Sequence, residues 1–306
     1  MSKSVIPAVF LDWAGTVVDH GSLAPVQALE DIFAEYGVTV SRPLVRRYMG
    51  LAKKDHIRKL LGEPDVMGQW LAAHRADPGE SDLDLLYRRF EPQMMELLAG
   101  YATVISGAVE TVEALRVRQV KIAGTTGYTR PMLEQLQHLA AEQGYRTDAS
   151  LTPEDVGTGR PFPWMCYQLA VQLKVYPLSA CVKIGDTESD ILEGRYAGMW
   201  AIGVTRSGNS VGLTEKEWSC LESHEQAGLI ARAEVELRQA GAHYTAESIG
   251  HVLPILDEIE GRIGRGEAPH VDLSETVCQC SVTKSNQRTM SPHPKDRGQM
   301  LFCIVR

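Results

Sequence analysis

The sequence predicts an α/β protein: a parallel sheet with an α-helical domain inserted after its first strand. Two observations lead there. Short β-branched apolar runs, each followed by a polar, glycine-containing turn, occur at residues 5–11, 120–123, 180–184 and 200–204, separated by segments of helical pattern. Alternation of that kind builds parallel βαβ units. By contrast, residues 23–98 are helical in pattern throughout, as at 26–36, 54–61 and 83–98, with no convincing strand. The expected organisation is a core of residues 1–20 and 100–263, a smaller helical domain of residues 21–99, and an irregular tail of residues 264–306.

A chain of 306 residues, 44% hydrophobic and 23% charged, has room for a sizeable buried core. Its net charge of −8 and lack of a long Lys/Arg run argue against a nucleic-acid partner, whereas a few local cations still suffice for a small anionic substrate. The first residues are too short an apolar stretch, and too acidic at its end, for a secretory signal, and no segment reaches membrane-spanning length. Six cysteines without zinc-ribbon spacing read as reduced thiols in a cytoplasmic protein. Cys278, Cys280 and His293 fall short of four zinc ligands, and the tail that holds them reads as disordered or peripheral.

The chemistry sits at strand ends. The first strand closes with DWAGT, placing Asp12 at the carboxyl edge of the sheet, where open α/β folds bind ligands. A carboxylate there can attack phosphorus, and Gly15 and Thr16 can offer amides to phosphate oxygens; capping of the next helix is the alternative for this string alone. The second strand closes with GTTGYTR, whose hydroxyls Thr125 and Thr126 precede a helix that Pro131 can start. Arg160 in TGRPFPW is a cation suited to neutralising a bound phosphate. VKIGDTESD supplies Asp186, Thr187, Glu188, Ser189 and Asp190, a density of hard oxygen ligands that suits Mg2+ or, more blandly, a helix N-terminus.

Carboxylate, paired hydroxyls, cation and acidic cluster, in that order, resemble the haloacid dehalogenase superfamily. The resemblance covers residues 5–204 and implies a Rossmann-like core with an inserted α-helical cap. Relatives of this kind that act on phosphate esters read DxDGT, the second Asp serving as acid or base. Here that place is Ala14, which transfers no proton.

The insertion offers another activator in YMGLAKKDHIRKL. Lys53 and Lys54 follow an apolar stretch and precede His56 and Arg58, and clustered charge with an apolar wall favours a neutral amine. Bringing a lysine from about 10.4 to about 7–8 takes roughly 3–5 kcal/mol, and a solvated helix face is the alternative. A neutral lysine condenses with an aldehyde, and a protonated imine β to phosphorus accepts the electrons of a breaking phosphorus–carbon bond, so no acid at position 14 is needed.

With FLDWAGTVVDHGSLAP, RRYMGLAKKDH, AGTTGYTR, TPEDVGTGRPFPWMCY and KIGDTESDILEGRYAGMW, the sequence is similar to the phosphonoacetaldehyde hydrolases. The resemblance implies that Asp12 attacks phosphorus and Lys53 forms the Schiff base. It further implies that Asp12, the Ala14 carbonyl and Asp186 hold Mg2+, with Thr187 and Asp190 in support. Thr126 and Arg160 would bind the phosphoryl group, and Met49, His56 and Tyr128 would line or tune the imine pocket. Gly50 would let the cap approach the core closely. Acetaldehyde and phosphate are the implied products, downstream of a transaminase in 2-aminoethylphosphonate breakdown, and a homodimer through the caps is the implied assembly. An ester-acting phosphatase or phosphomutase is the rival that Ala14 and Lys53 oppose; a silent scaffold is opposed by the completeness of the four motifs.

Overall fold

A computed structural model gives the structure of residues 4–269. The expectations for Cys278, Cys280, His293 and most of the tail lie outside the described residues. Six parallel strands form one sheet: β1 (Ala8–Leu11), β2 (Lys121–Thr125), β3 (Ala149–Leu151), β4 (Val182–Gly185), β5 (Trp200–Val204) and β6 (Tyr244–Ala246), in the order β3-β2-β1-β4-β5-β6. Four of the six fall on the apolar runs seen in the sequence. The two that sequence periodicity misses, β3 and β6, are three-residue edge strands, too short to carry a period-two signal.

β1 is buried on both faces, as a central parallel strand must be. Val9 and Leu11 join one apolar cluster, while Ala8 and Phe10 point the opposite way into a second with Met165, Cys166 and Leu169. Strand order reverses between β1 and β4, so the connections leave their carboxyl ends in opposite directions and open a crevice there.

Between β1 and β2 the chain is helical: α1 (Ala24–Glu35), α2 (Arg42–Arg47), α3 (Lys53–Leu61), α4 (Pro64–His74), α5 (Glu80–Tyr101) and α6 (Ala108–Val117). α5 packs along α1 and α3 and reaches α7 (Arg130–Glu142). The same apolar cluster runs from Phe33, Leu86 and Phe90 in the insertion to Leu11 and Ile184 in the sheet, within one compact unit. The remaining helices are α8 (Trp164–Leu173), α9 (Glu188–Tyr196), α10 (Glu215–Ser219), α11 (Ser223–Gln239) and α12 (Leu253–Gly264). No helix of the described residues is long and apolar enough to cross a membrane.

Candidate active site

The crevice at the switch point collects residues from both halves of the chain. Asp12 directly follows β1, its backbone N–H donating to Ile184 O at 2.9 Å, and Asp186 directly follows β4. A cavity of about 280 Å3, part of it open to solvent, is lined by Asp12, Ala14, Ser22, Pro25, Met49, Gly50, Lys53, Thr126, Gly127, Tyr128, Arg160, Asp186 and Thr187. Of the residues to which the family resemblance gives site roles, His56 and Asp190 do not line it. Both are fully buried behind it.

Arg160 is the hub of a dry ion network. Its Nη2 lies 2.7 Å from Asp12 Oδ1, Nη1 2.8 Å from Asp190 Oδ1, and Nε 3.0 Å from Glu193 Oε2. Lys183, on β4, contributes a second cation, its Nζ 2.7 Å from Asp190 Oδ1 and 3.2 Å from Glu193 Oε2. Burial works against both cations, but Asp190, Glu193 and Asp12 hold them charged. Burial also acts against Asp190, where Arg160 and Lys183 prevail and keep its carboxyl below the usual range. Lys183 and Glu193 escaped the sequence reading. Glu193 follows Asp190 by three residues on α9, a spacing that puts both acids on one helix face and is the signal that could have found it. A lysine inside an apolar strand offers no comparable signal.

The paired threonines separate, because successive residues at a strand end point to opposite sides. Thr126 lines the cavity, and its Oγ1 accepts the Tyr128 N–H at 3.2 Å. Thr125 faces the ion network instead. Its hydroxyl accepts from Arg160 Nη2 at 2.6 Å and Lys183 Nζ at 2.9 Å and donates to Glu193 Oε2 at 3.0 Å.

Asp12, Asp186 and Asp190 bring carboxylate oxygens within 4.8 Å of one another. Asp186 Oδ2 accepts the Asn209 N–H at 2.7 Å and Oδ1 the Thr16 hydroxyl at 3.4 Å. Thr187 caps α9, its hydroxyl donating to Asp190 Oδ2 at 2.5 Å, so Asp190 is fixed from both sides. Four buried carboxylates, Asp12, Asp186, Asp190 and Glu193, outnumber the cations around them, Arg160, Lys183 and the Lys53 ammonium. Burial first, then mutual repulsion among Asp12, Asp186 and Asp190, pushes the carboxyls of Asp12 and Asp186 up. That deficit and those hard oxygens fit one divalent cation such as Mg2+.

Lys53 opens α3 and projects from the helical insertion into the same cavity, with only 4% of its surface exposed. Its Nζ lies 5.2 Å from the Tyr128 ring centroid and makes no ion pair among the described residues. Its pKa is lowered to about 8, by burial first and then by Arg160, against the pull of Asp12, Asp186 and Asp19. The cause differs in part from the sequence expectation. The apolar wall contributes, but Lys54 turns outward to Asp84 at 2.5 Å and Arg58 to Asp55, so the opposing cation comes from the core. His56 sits one turn after Lys53, donates Nε2–H to Val45 O at 2.8 Å and leaves Nδ1 without a hydrogen-bond partner. Burial and the Lys53 charge push its pKa down to about 3, so it is a neutral imidazole.

Gly50 shows why the insertion can come this close. It has φ of +82°, and a Cβ there would lie 2.1 Å from Ser189 Oγ and 2.4 Å from Thr187 Oγ1. Next to it, Met49 O accepts the Ser189 hydroxyl at 3.4 Å.

Comparison with known proteins gives the family. A family model for haloacid dehalogenase-like hydrolases matches residues 6–198. The chain is 45% identical to a phosphonoacetaldehyde hydrolase of Syntrophobacter fumaroxidans, over 86% of this chain and 95% of the relative. It is 42% identical to the enzyme of that name from Bacillus cereus, over 83% of this chain and 97% of the relative. The crystal structure of a phosphonoacetaldehyde hydrolase-like protein from Oleispira antarctica superposes with a TM-score of 0.85 at 37% identity, covering 88% of this chain and 98% of that one. A carboxylate-bearing strand end facing a buried acid cluster is what the site displays, and relatives matched over nearly their whole length place this chain in the phosphonoacetaldehyde hydrolase family of the haloacid dehalogenase-like hydrolases.

Proposed function

We propose that the protein hydrolyses the phosphorus–carbon bond of phosphonoacetaldehyde to acetaldehyde and phosphate, downstream of a transaminase in 2-aminoethylphosphonate breakdown. The single observation that carries this reading is the convergence of Lys53 and Asp12 on one cavity in which position 14 offers no acid. A phosphate-ester enzyme would have no use for an unpaired, buried amine over its nucleophile.

In the proposed sequence the neutral Lys53 amine adds to the aldehyde carbon, and loss of water gives a protonated imine. An Asp12 carboxylate oxygen then attacks phosphorus while the phosphorus–carbon electron pair moves into the imine, leaving an enamine on Lys53 and an aspartyl phosphate. Protonation of the enamine carbon and attack of water on the resulting imine release acetaldehyde and restore the amine; a second water releases phosphate from Asp12. Arg160, 2.7 Å from Asp12, is placed to offset charge on the phosphoryl oxygens, and Thr126 and its neighbouring amides to cradle them. Tyr128, whose hydroxyl burial keeps protonated, walls the amine and excludes water. Mg2+, held by Asp12, the Ala14 carbonyl and Asp186 with Thr187 and Asp190 in support, would supply Lewis-acid neutralisation of the phosphoryl group.

Residues 21–99 act as the cap and residues 1–20 and 100–263 as the core in this proposal, in a cytoplasmic protein whose described cysteines are free thiols. Pairing of two copies through the cap belongs to it as well, supported by Met67 and Leu71, exposed one turn apart on α4. Leu71→Glu should then shift the mass seen by light scattering from dimer to monomer, whereas a monomeric unaltered protein removes the pairing.

The test of the reaction is hydride trapping with and without phosphonoacetaldehyde, followed by peptide mapping. Substrate-dependent modification of Lys53 is expected, and an unmodified Lys53 beside full turnover ends the imine reading. Asp12→Ala should release no phosphate yet still permit trapping; appreciable turnover of that variant removes Asp12 as the nucleophile.

A further inference from the structure

One partly buried cation, Arg46, lies outside the chemistry above. Arg46 stands near the end of α2, a six-residue helix too short to persist on its own hydrogen bonds. Its guanidinium reaches past the insertion's own helices, to the insertion's first residue and across to the core. Nη1 donates to Gly21 O at 2.9 Å and to Asn209 O and Oδ1 at 3.1 Å each, and Nη2 donates to Gly212 O at 3.1 Å. Asn209 Nδ2 donates back to Arg46 O at 3.0 Å. Gly212 has φ of +66°, and a Cβ there would lie 2.5 Å from Arg46 Cζ, so the guanidinium is pressed flat on this loop. Every acceptor of the fork is neutral, and each belongs either to the segment leading out of β1 or to the loop after β5.

That loop touches the acid site. The backbone N–H of Asn209 donates to Asp186 Oδ2 at 2.7 Å, so one residue is held by Arg46 through its carbonyl and side chain and holds Asp186 through its amide. In the other direction, Val45 O, adjacent to Arg46, accepts His56 Nε2–H at 2.8 Å, and His56 lies one turn from Lys53 on α3. An unbroken run of hydrogen bonds and short covalent links thus joins the lysine helix to the carboxylate on the opposite side of the cavity. A planar fork with fixed donors satisfies all these acceptors only when the insertion is seated. An apolar contact would hold α2 without that geometric demand.

We infer that Arg46 is a positioning residue, a clasp that makes seating of the helical insertion and orientation of Asp186 a single event. The inference rests on the proposed roles of Lys53 and Asp186. It predicts that a cation bound at the acid cluster tightens the insertion, because coupling between two sites is reciprocal. The experiment is amide hydrogen exchange read by mass spectrometry on the full chain, for wild type, Arg46→Lys and Arg46→Met, without and then with Mg2+ alone. In wild type, Mg2+ should slow exchange at residues 205–213 and also at residues 42–50, which contain no Asp, Glu or His. In both variants protection at 205–213 should persist while the added protection at 42–50 falls at least about tenfold, the factor expected from losing one charge-assisted hydrogen bond. Arg46→Lys keeps the charge and loses the fork, separating geometry from electrostatics. Unchanged exchange in α6 certifies that the variants fold.

Full protection at 42–50 in the variants overturns the clasp, as does a wild type protected at 205–213 alone. A wild type in which Mg2+ protects neither segment sinks the metal reading instead. The metal-free samples then decide the clasp: Arg46→Met must speed exchange at 205–213 about tenfold, and Asn209→Ala must add little to it. An unchanged loop, or fully additive losses, overturns the inference.

Discussion

Raising pH should switch on imine formation at Lys53 with a midpoint near 8, because the amine is nucleophilic only when neutral. With a pKa of about 8, roughly 1% of Lys53 is neutral at pH 6, about 9% at pH 7 and about 91% at pH 9. An unperturbed lysine at 10.5 would be about 0.03% neutral at pH 7, so burial raises the reactive fraction about 300-fold there. The free energy behind the shift is on the order of 3 kcal/mol, and desolvation supplies the largest part, since Arg160 is the opposing cation while Asp12, Asp186 and Asp19 pull the other way. The assay is the initial rate of reductive trapping of acetaldehyde on Lys53 by cyanoborohydride, followed by intact mass across pH 6 to about 10. The rate should rise nearly tenfold per pH unit up to about 7.5 and level above about 9. Added Mg2+ should displace the curve to lower pH, since positive charge in the cavity disfavours the ammonium form. A rate still climbing tenfold between pH 9 and 10 would place the pKa near that of a free lysine and refute burial as the activating force. The sign for stability follows the same shift: the folded protein sheds this proton before the unfolded chain does, so stability from this group increases as pH rises from about 8 to about 10.5.

Gly50→Ala should lower turnover about a hundredfold, the effect of displacing a catalytic group by about an ångström, because the new methyl overlaps Ser189 and Thr187 and lifts Lys53 from Asp12; near-normal turnover would show that the contact yields freely. Lys183→Met strands Asp190 and Glu193 without one of their two cations, and chemical denaturation should record a loss of roughly 3–5 kcal/mol. Adding Glu193→Gln to Lys183→Met should recover part of that loss, and strict additivity of the two changes would contradict a shared network.

The legible part of this protein is its local chemistry. Four central or near-central strands announce themselves as apolar runs, and the motifs name Asp12, Thr126 and Asp186 at strand ends and Arg160 in the turn before α8, all of which line one cavity. Gly50 was legible as a point of close approach only through the family resemblance, as a glycine in the loop leading to Lys53. His56 was legible only as a neighbour of Lys53; its burial behind the cavity, bonded to Val45 O, depends on how α2 and α3 pack.

By itself, the sequence determined the central strands, the helical insertion and the candidate reactive residues, since periodicity and turn chemistry act over a few residues and survive without a fold. Tertiary structure alone decided that Asp190 is clamped between Arg160 and Lys183, that Thr125 serves the ion network while Thr126 faces the cavity, and that Arg46 reaches Asn209. It also decided that the pKa of Lys53 falls through burial and a core arginine, with Lys54 and Arg58 turned away. The reason is physical: desolvation and ion pairing depend on what surrounds a group in space, and neighbours separated by more than a hundred residues leave no trace in local spacing.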